Sequence, residues 1–306
     1  MPLFCNKWGM PRDDAPSAGA AAEVSLDFFL PAPDLRPAIS TYYVLRLNGD
    51  APVEDLVHPE WANIRLLLAG DWSLTFEGGR TSADVAPSAL VSGTLSKSAK
   101  VRGGPGFLVG VGLMPAGWAR LTEQSAAAYA DTLRPLSDLV GDAAGELIAR
   151  LGAAAHETDY FGILDEWFRA QLAPPAAVEA LLNEAHRHLL DPELASVGEW
   201  ARRLGRSTRQ LERMTLDYFG VPPKRLLRRQ RFLRTFAAMR DQPPGAWGRL
   251  LDDRYADQSQ FVREFNHFIG MSPRAYFSRR WPFMLAAGNA RQALLGVPLQ
   301  GLHKAE

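Results

Sequence analysis

The sequence predicts an α+β protein with a β-rich first part and an all-helical last part. Residues 40–114 contain short β-branched and aromatic runs separated by turn residues, which is the pattern of antiparallel strands. From Pro115 onward the apolar residues recur at helical spacing. Two similar helical units then follow each other in the last third. With 306 residues, the chain is long enough for two domains that each bury a core.

The predicted strands are short and apolar, and turn-rich segments separate them. We expect them to form an antiparallel sheet or a small barrel. The strands are expected at Thr41–Leu47, Ile64–Ala69, Trp72–Phe76 and Phe107–Met114, and the turns at Glu77–Arg80 and Arg102–Gly106.

Helices are expected at Leu133–Leu151, Phe161–Leu172 and Pro175–Leu190. Within the first of these, Leu139, Ala143, Leu147 and Leu151 repeat about once per turn. That apolar stripe is equally compatible with a dimer seam and with a helix packed inside its own domain. The segment Asp191-Pro192-Glu193 is the expected domain junction.

The last third contains two units of the same plan. In the first, Ser207-x-x-Gln210 forms a capping box that opens a helix ending near Gly220. Asp257-x-x-Gln260 opens the corresponding helix of the second unit, whose apolar face includes Phe261. The units align as follows: Gly270 with Gly220, Pro273 with Pro223, Arg274 with Lys224, Arg263 with Arg213, and Gln260 with Gln210.

The net charge of zero hides an asymmetry between the two halves. Residues 1–195 hold 14 Lys+Arg and 25 Asp+Glu, a balance of −11. Residues 196–281 hold 18 and 8, a balance of +10, and the remaining 25 residues add +1. A basic helical block beside an acidic domain indicates nucleic acid binding, with a solvated helical surface as the alternative.

The repeated units carry a family resemblance. LASVGEWARRLGRSTRQLERMTLDYFGVPPKRLLRRQRFLRTFAAM and DQSQFVREFNHFIGMSP resemble the DNA-binding domain of AraC/XylS-type transcriptional regulators over about residues 194–281. The resemblance implies seven helices, with two reading helices about one DNA turn apart in adjacent major grooves. It also implies a cupin-like barrel in the first half, followed by helices that dimerise or bind an effector.

Helical spacing and the resemblance together predict which side chains contact double-stranded DNA. Arginine suits guanine and glutamine suits adenine, whereas a basic joining helix suits phosphates. The expected base-reading residues are Arg209, Glu212, Arg213, Gln258, Ser259 and Arg263. The expected phosphate contacts are Ser207, Lys224, Arg225, Arg228, Arg229 and Arg274.

A small-molecule effector is a further expected partner. Polar and aromatic residues of the first half are candidates for its pocket, although such residues are more typical of ordinary core and rim positions. These candidates are Tyr42, His58, Trp61, Arg65, Trp72 and Trp118.

No catalytic, metal-binding or cofactor-binding motif is apparent, so we expect a protein that is not an enzyme. The six histidines are scattered, and Cys5 is the only cysteine. Together with the absence of an apolar signal core or a long apolar run, this favours a cytoplasmic protein without a membrane span.

The expected organisation is a loose arm at 1–22, a sensor or dimerisation domain at 23–190, the DNA-binding domain at 194–281 and a tail at 282–306. The sensor domain is expected to be β-rich at 40–114 and helical at 115–190. A homodimer and a contact with RNA polymerase are further expectations.

Two alternatives to a DNA-binding regulator remain open. The first is an interaction protein whose second unit no longer reads DNA, because Gly245, Gly248, Asp252, Asp253 and Arg254 depart from the family pattern. The second is a barrel-type enzyme with a DNA-binding appendage.

Overall fold

The computed structural model describes residues 23–79, 81–175 and 177–304. The predicted arm, with Cys5, lies outside these residues. The expected α+β class is confirmed, because two antiparallel sheets precede a helical region. The strands are β1 Glu23–Phe29, β2 Ile39–Asn48, β3 Val53–Val57, β4 Asn63–Ala69, β5 Asp71–Thr75, β6 Thr81–Val85, β7 Ser88–Ser92, β8 Ala99–Gly103, β9 Gly106–Leu113 and β10 Leu133–Pro135.

The two sheets face each other as a flattened barrel. One sheet has the strand order β1-β2-β9-β4-β7-β10 and the other has β3-β8-β5-β6. Side chains alternate across β2, so Tyr43 and Leu45 point between the sheets, where they meet Trp72 and Leu74. Tyr42 points to the opposite face of the larger sheet, and helices cover that face.

The helices of the first half are α1 Pro115–Leu121, α2 Ser137–Val140, α3 Ala143–Gly152, α4 Asp159–Gln171 and α5 Ala177–Leu190. The expectation of one helix over Leu133–Leu151 was wrong. Residues Leu133–Pro135 instead pair with β7, and Gly141 breaks the helical stretch with a φ of 59°. Leu147 and Leu151 are buried against the larger sheet, so the apolar stripe is an intradomain contact and not a dimer seam.

The helical last third follows the predicted order. Its elements are α6 Val197–Arg203, α7 Thr208–Met214, a π-helical turn Thr215–Phe219, α8 Pro223–Met239, a 3₁₀ helix Pro244–Arg249, α9 Gln258–Ile269 and α10 Pro273–Phe277. The resemblance implied seven helices here, and the structure has five α-helices, one 3₁₀ helix and the π-helical turn that continues α7.

The segment after α10 returns to the barrel. It forms α11 Pro282–Leu295 and a 3₁₀ turn at Gln300–Leu302. Phe283 is buried with its ring centroid 5.6 Å from that of Trp72, and its N–H donates to the Asp55 carboxylate at 2.6 Å. The side-chain oxygen of Gln300 accepts the backbone N–H of Trp61 at 3.0 Å. Residues 282–304, which were expected as part of a tail, therefore pack against the first half of the chain.

Candidate nucleic-acid interface and ligand cavity

Helix α7 is built as a surface helix with one exposed polar face. The Ser207 hydroxyl accepts the N–H of Gln210 at 3.2 Å, and the Gln210 side chain accepts the N–H of Ser207 at 2.8 Å. This reciprocal capping box starts the helix where the sequence predicts it. Leu211 and Met214 are buried. The opposite face leaves three polar side chains exposed, namely Arg209, Glu212 and Arg213.

Helix α9 repeats the arrangement in the second unit. The Asp257 carboxylate accepts the N–H of Gln260 at 2.7 Å and so caps the helix. Phe261 and Phe265 anchor the helix in an aromatic core shared with α8 and α10. The exposed side chains include Gln258, Ser259 and Arg263. The structure thus presents both predicted base-reading sets to solvent, and two pairs, Arg209 with Ser259 and Arg213 with Arg263, occupy aligned positions.

The phosphate-contact candidates divide into two groups. Ser207, Lys224, Arg225 and Arg274 are exposed and accessible to a DNA backbone. Arg228 is half-exposed, and its Nε donates to Glu264 Oε1 at 3.1 Å. Its charge is therefore partly engaged within the protein.

Arg229 is not available to a phosphate, which corrects its assignment to that set. Its side chain is fully buried, and its guanidinium lies 3.8 Å from the ring centroid of Trp61. Nη1 donates to the backbone carbonyl of Glu60 at 3.4 Å, whereas Nε and Nη2 have no hydrogen-bond partner among the residues that the structure describes. Burial lowers the pKa of Arg229 to about 9. A run of basic residues on a helix does not reveal which of their side chains faces another part of the protein. The side chain of Arg229 faces the barrel.

Sequence reasoning missed Glu264, which ties the second reading helix to the joining helix. It is 5% exposed. Its carboxylate accepts from Arg231 at 2.7 Å and from the Tyr255 hydroxyl at 3.2 Å. The sequence did indicate that Glu264 is buried, because it lies three residues after Phe261 and therefore on the same face of the helix.

The first helix of the second unit is irregular, as Gly245 and Gly248 lead one to expect. It is a 3₁₀ helix of six residues. Arg254, however, carries no strain, because its φ is not positive. Its guanidinium donates to the Leu194 carbonyl at 3.2 Å and lies 3.7 Å from Asp252. Through these contacts, Arg254 connects the second helical unit to the segment around Leu194.

A cavity of about 290 Å³ lies between the sheets and is bordered by helices α8, α10 and α11. Three of the six predicted pocket residues line it, namely His58, Arg65 and Trp72. The other three do not. Tyr42 donates to Asp165 under α4, Trp118 donates to the Gln124 carbonyl, and Trp61 packs at the junction with α8. The alternation of β2 places Tyr43 in the cavity instead of Tyr42.

The polar groups around the cavity are mostly paired with one another. Arg65 donates to Glu60 at 2.5 Å and to Ser92 at 2.7 Å. The Tyr43 hydroxyl donates to Asn63 at 2.9 Å. His58 Nε2 lies 2.9 Å from the Tyr276 hydroxyl, and burial lowers the pKa of His58 to about 3, so its ring is neutral. Most of the remaining lining is apolar, and its other charged members are arginines, namely Arg240, Arg279, Arg280 and Arg291.

Within the described residues, no group of three or more His, Cys, Asp or Glu side chains is arranged to hold a metal ion. None of the described helices combines the length and apolar character needed to cross a membrane.

Comparisons with known proteins agree with the helical geometry. A protein-family model described as a helix-turn-helix domain matches residues 200–279. A search of curated proteins finds no match.

Solved structures give more distant similarities. Fatty-acid-bound ToxT from Vibrio cholerae is 10% identical, with 85% of this chain and 96% of that chain covered and a TM-score of 0.42. The AraC-like transcriptional activator CuxR is 14% identical, with 70% of this chain and 87% of that chain covered and a TM-score of 0.27. A cupin superfamily protein from Desulfitobacterium hafniense is 13% identical, with 30% of this chain and 77% of that chain covered and a TM-score of 0.24.

The matched segment contains two capped reading helices joined by a long basic helix. That arrangement defines a double helix-turn-helix domain. Residues 200–279 therefore form an AraC-type helix-turn-helix domain, and the predicted resemblance is confirmed over this segment.

Proposed function

We propose that this protein is a sequence-specific DNA-binding transcription regulator whose first domain binds a small-molecule effector. One observation carries the proposal. Both capped helices bury their apolar faces and leave Arg213 and Arg263, which align in the repeat, exposed on the outer face. Exposed arginines on such helices suit guanine O6 and N7 in the major groove.

The joining helix supports the same proposal. Lys224 and Arg225 are exposed at its start, and Arg274 is exposed at the equivalent point after α9. These cations suit phosphate oxygens, which orient a protein on DNA without reading its sequence.

The proposal is tested by selecting binding sites from random duplex DNA with the full-length protein. We then expect Arg213→Ala and Arg263→Ala to cost about 1–3 kcal/mol each at the selected site and less on random DNA. Arg225→Ala should instead weaken both DNAs equally and reduce the slope of log K against log salt by about one phosphate contact.

If no sequence is enriched and binding shows little salt dependence, the proposal fails, and the alternative of an interaction protein gains support. If Arg213→Ala alone reduces specificity, the second unit does not read bases. That outcome would agree with the irregular 3₁₀ helix that precedes α9.

The effector proposal rests on the cavity between the sheets. Its apolar wall and few polar groups are typical of small-molecule sites, and α8 forms part of that wall. A ligand there would contact the helix that joins the two DNA-reading units. A homodimer and a contact with RNA polymerase remain predictions from the resemblance.

A further inference from the structure

Helix α11, which follows the DNA-binding domain in the chain, forms the outer wall of the cavity. Phe283, Ala287 and Gly288 are buried on its inner face and line the cavity. A Cβ atom at Gly288 would lie 2.6 Å from Nη1 of Arg240, which belongs to the end of α8. Arg240 also donates to Asn289. The barrel, the joining helix and α11 therefore meet at one point.

Arg291 is the unusual residue of this wall. It is 9% exposed and borders the cavity, with its guanidinium 4.3 Å from the ring centroid of Phe28. Its Nε has no hydrogen-bond partner, and no ion pair forms between Arg291 and any residue that the structure describes. The neighbouring carboxylate of Glu60 is already bound by Arg65.

The charge of Arg291 persists at neutral pH. Burial lowers its pKa to about 10, so the guanidinium is still protonated at pH 7. A buried cation without a carboxylate partner is costly, and contact with an aromatic ring offsets only part of that cost. Arg229 is buried in a packed interior, whereas Arg291 lies beside open space in which an anion can bind.

We infer that Arg291 binds the anionic group of a small, otherwise apolar ligand, and that α11 closes the cavity over it. This inference rests on the proposed effector-binding function and specifies the chemical class of the effector. The apolar wall suits the body of the ligand, and the volume of about 290 Å³ is at the small end of ligand pockets. A single anionic group would supply the partner that Arg291 lacks.

The position of the cavity gives such a ligand a route to the DNA-binding domain. Phe236 of α8 and Tyr276 of α10 line the same cavity as Arg291. Occupancy would therefore stabilise α11 against the barrel and act on the joining helix at the same time.

The test uses calorimetric titration of the full-length protein with two pairs of probes. Octanoate is compared with 1-octanol, and 4-phenylbutyrate with 4-phenyl-1-butanol, so that each pair differs only in its anionic group. The variants are Arg291→Met, which removes the charge, and Arg291→Lys, which keeps it. Lys304→Met removes an exposed cation from the same segment and serves as the matched control.

We expect at least one carboxylate to bind more tightly than its alcohol. Arg291→Met should weaken that carboxylate about 10- to 100-fold, the usual effect of a hydrogen bond to a charged group, and leave the alcohol nearly unchanged. Arg291→Lys should retain a preference for the carboxylate, and Lys304→Met should resemble the unmodified protein. Hydrogen exchange should slow across residues 282–295 when the carboxylate is bound.

The inference is overturned if neither carboxylate binds more tightly than its alcohol, or if Arg291→Met binds both members of a pair as the unmodified protein does. DNA binding by the same preparations separates this outcome from failure of the proposed function. Intact DNA binding without carboxylate preference refutes only the role of Arg291, whereas a lack of DNA binding in the unmodified protein refutes the regulator proposal itself.

Discussion

The replacement Arg229→Met tests whether the joining helix is bound to the barrel as the structure shows. Arg229 is fully buried, and two of its nitrogens have no partner. If Arg229 contacted phosphate, as the charge pattern suggested, this change would weaken DNA binding. If it is a buried cation, methionine should relieve a cost, because it fills similar space without charge.

The size of the effect follows from the pKa. The fall in the pKa of Arg229 to about 9 means that burial disfavours its charged form by about 5 kcal/mol. A folded-state pKa below the unfolded value makes the residue destabilising at all pH values below about 9, so the full cost applies at pH 7. The contact with Trp61 returns about 2 kcal/mol. We therefore expect Arg229→Met to raise the free energy of unfolding by about 2–3 kcal/mol.

Urea denaturation followed by circular dichroism measures that change, and fluorescence anisotropy with labelled DNA at several salt concentrations measures binding. Arg225→Met is the matched control, since Arg225 is exposed one turn earlier on α8. Arg225→Met should leave the free energy of unfolding unchanged. It should lower the slope of log K for DNA against log salt by about the amount expected for one phosphate contact. A loss of stability in Arg229→Met, or a salt slope reduced as much as in the control, would refute the reasoning.

Three further predictions concern stability and use urea denaturation as the measurement. Glu264→Gln should lower the free energy of unfolding by about 3 kcal/mol, because Arg228 and Arg231 lose their buried partner; a loss below about 1 kcal/mol would contradict this. His186 is buried without a hydrogen-bond partner, and burial lowers its pKa to about 3. Its contribution to stability is therefore present above the unfolded pKa and is lost as the pH falls. His186→Phe should reduce the stability difference between pH 7 and pH 5 by about 2 kcal/mol, and an unchanged difference would show that His186 titrates normally. Gly270 has a φ of 86° and open space around it, so Gly270→Ala should cost about 1 kcal/mol. Gly220→Ala should cost more, because its Cβ would also lie 3.2 Å from the Ala126 carbonyl oxygen; equal losses would show that this contact relaxes freely.

Much of the helix-turn-helix region was predictable because its signals are local. The capping pair Ser207 and Gln210 specifies where α7 begins, and glycine at positions 220 and 270 allows the left-handed turns that end the two units. Helical periodicity then separates buried Phe261 from exposed Arg263 without knowledge of the rest of the fold.

The ligand cavity was predictable only in part. Strand alternation requires Tyr42 and Tyr43 to face opposite sides, but it does not say which side holds the cavity. That choice depends on α4, which covers the face carrying Tyr42. The expected helix over Leu133–Leu151 failed for a related reason, since pairing with β7 overrides the local helical pattern.

The class of fold, the double helix-turn-helix plan and the polar faces of α7 and α9 could be predicted from the residues alone, because caps, glycines and periodicity act within a few residues of the chain. The burial of Arg229, the link from Glu264 to α8 and the position of Arg291 at the cavity instead depend on how distant segments pack together. Each of these depends on a partner between 33 and 263 residues away in the chain. Neither local propensity nor a charge count specifies which face of a helix meets such a distant surface.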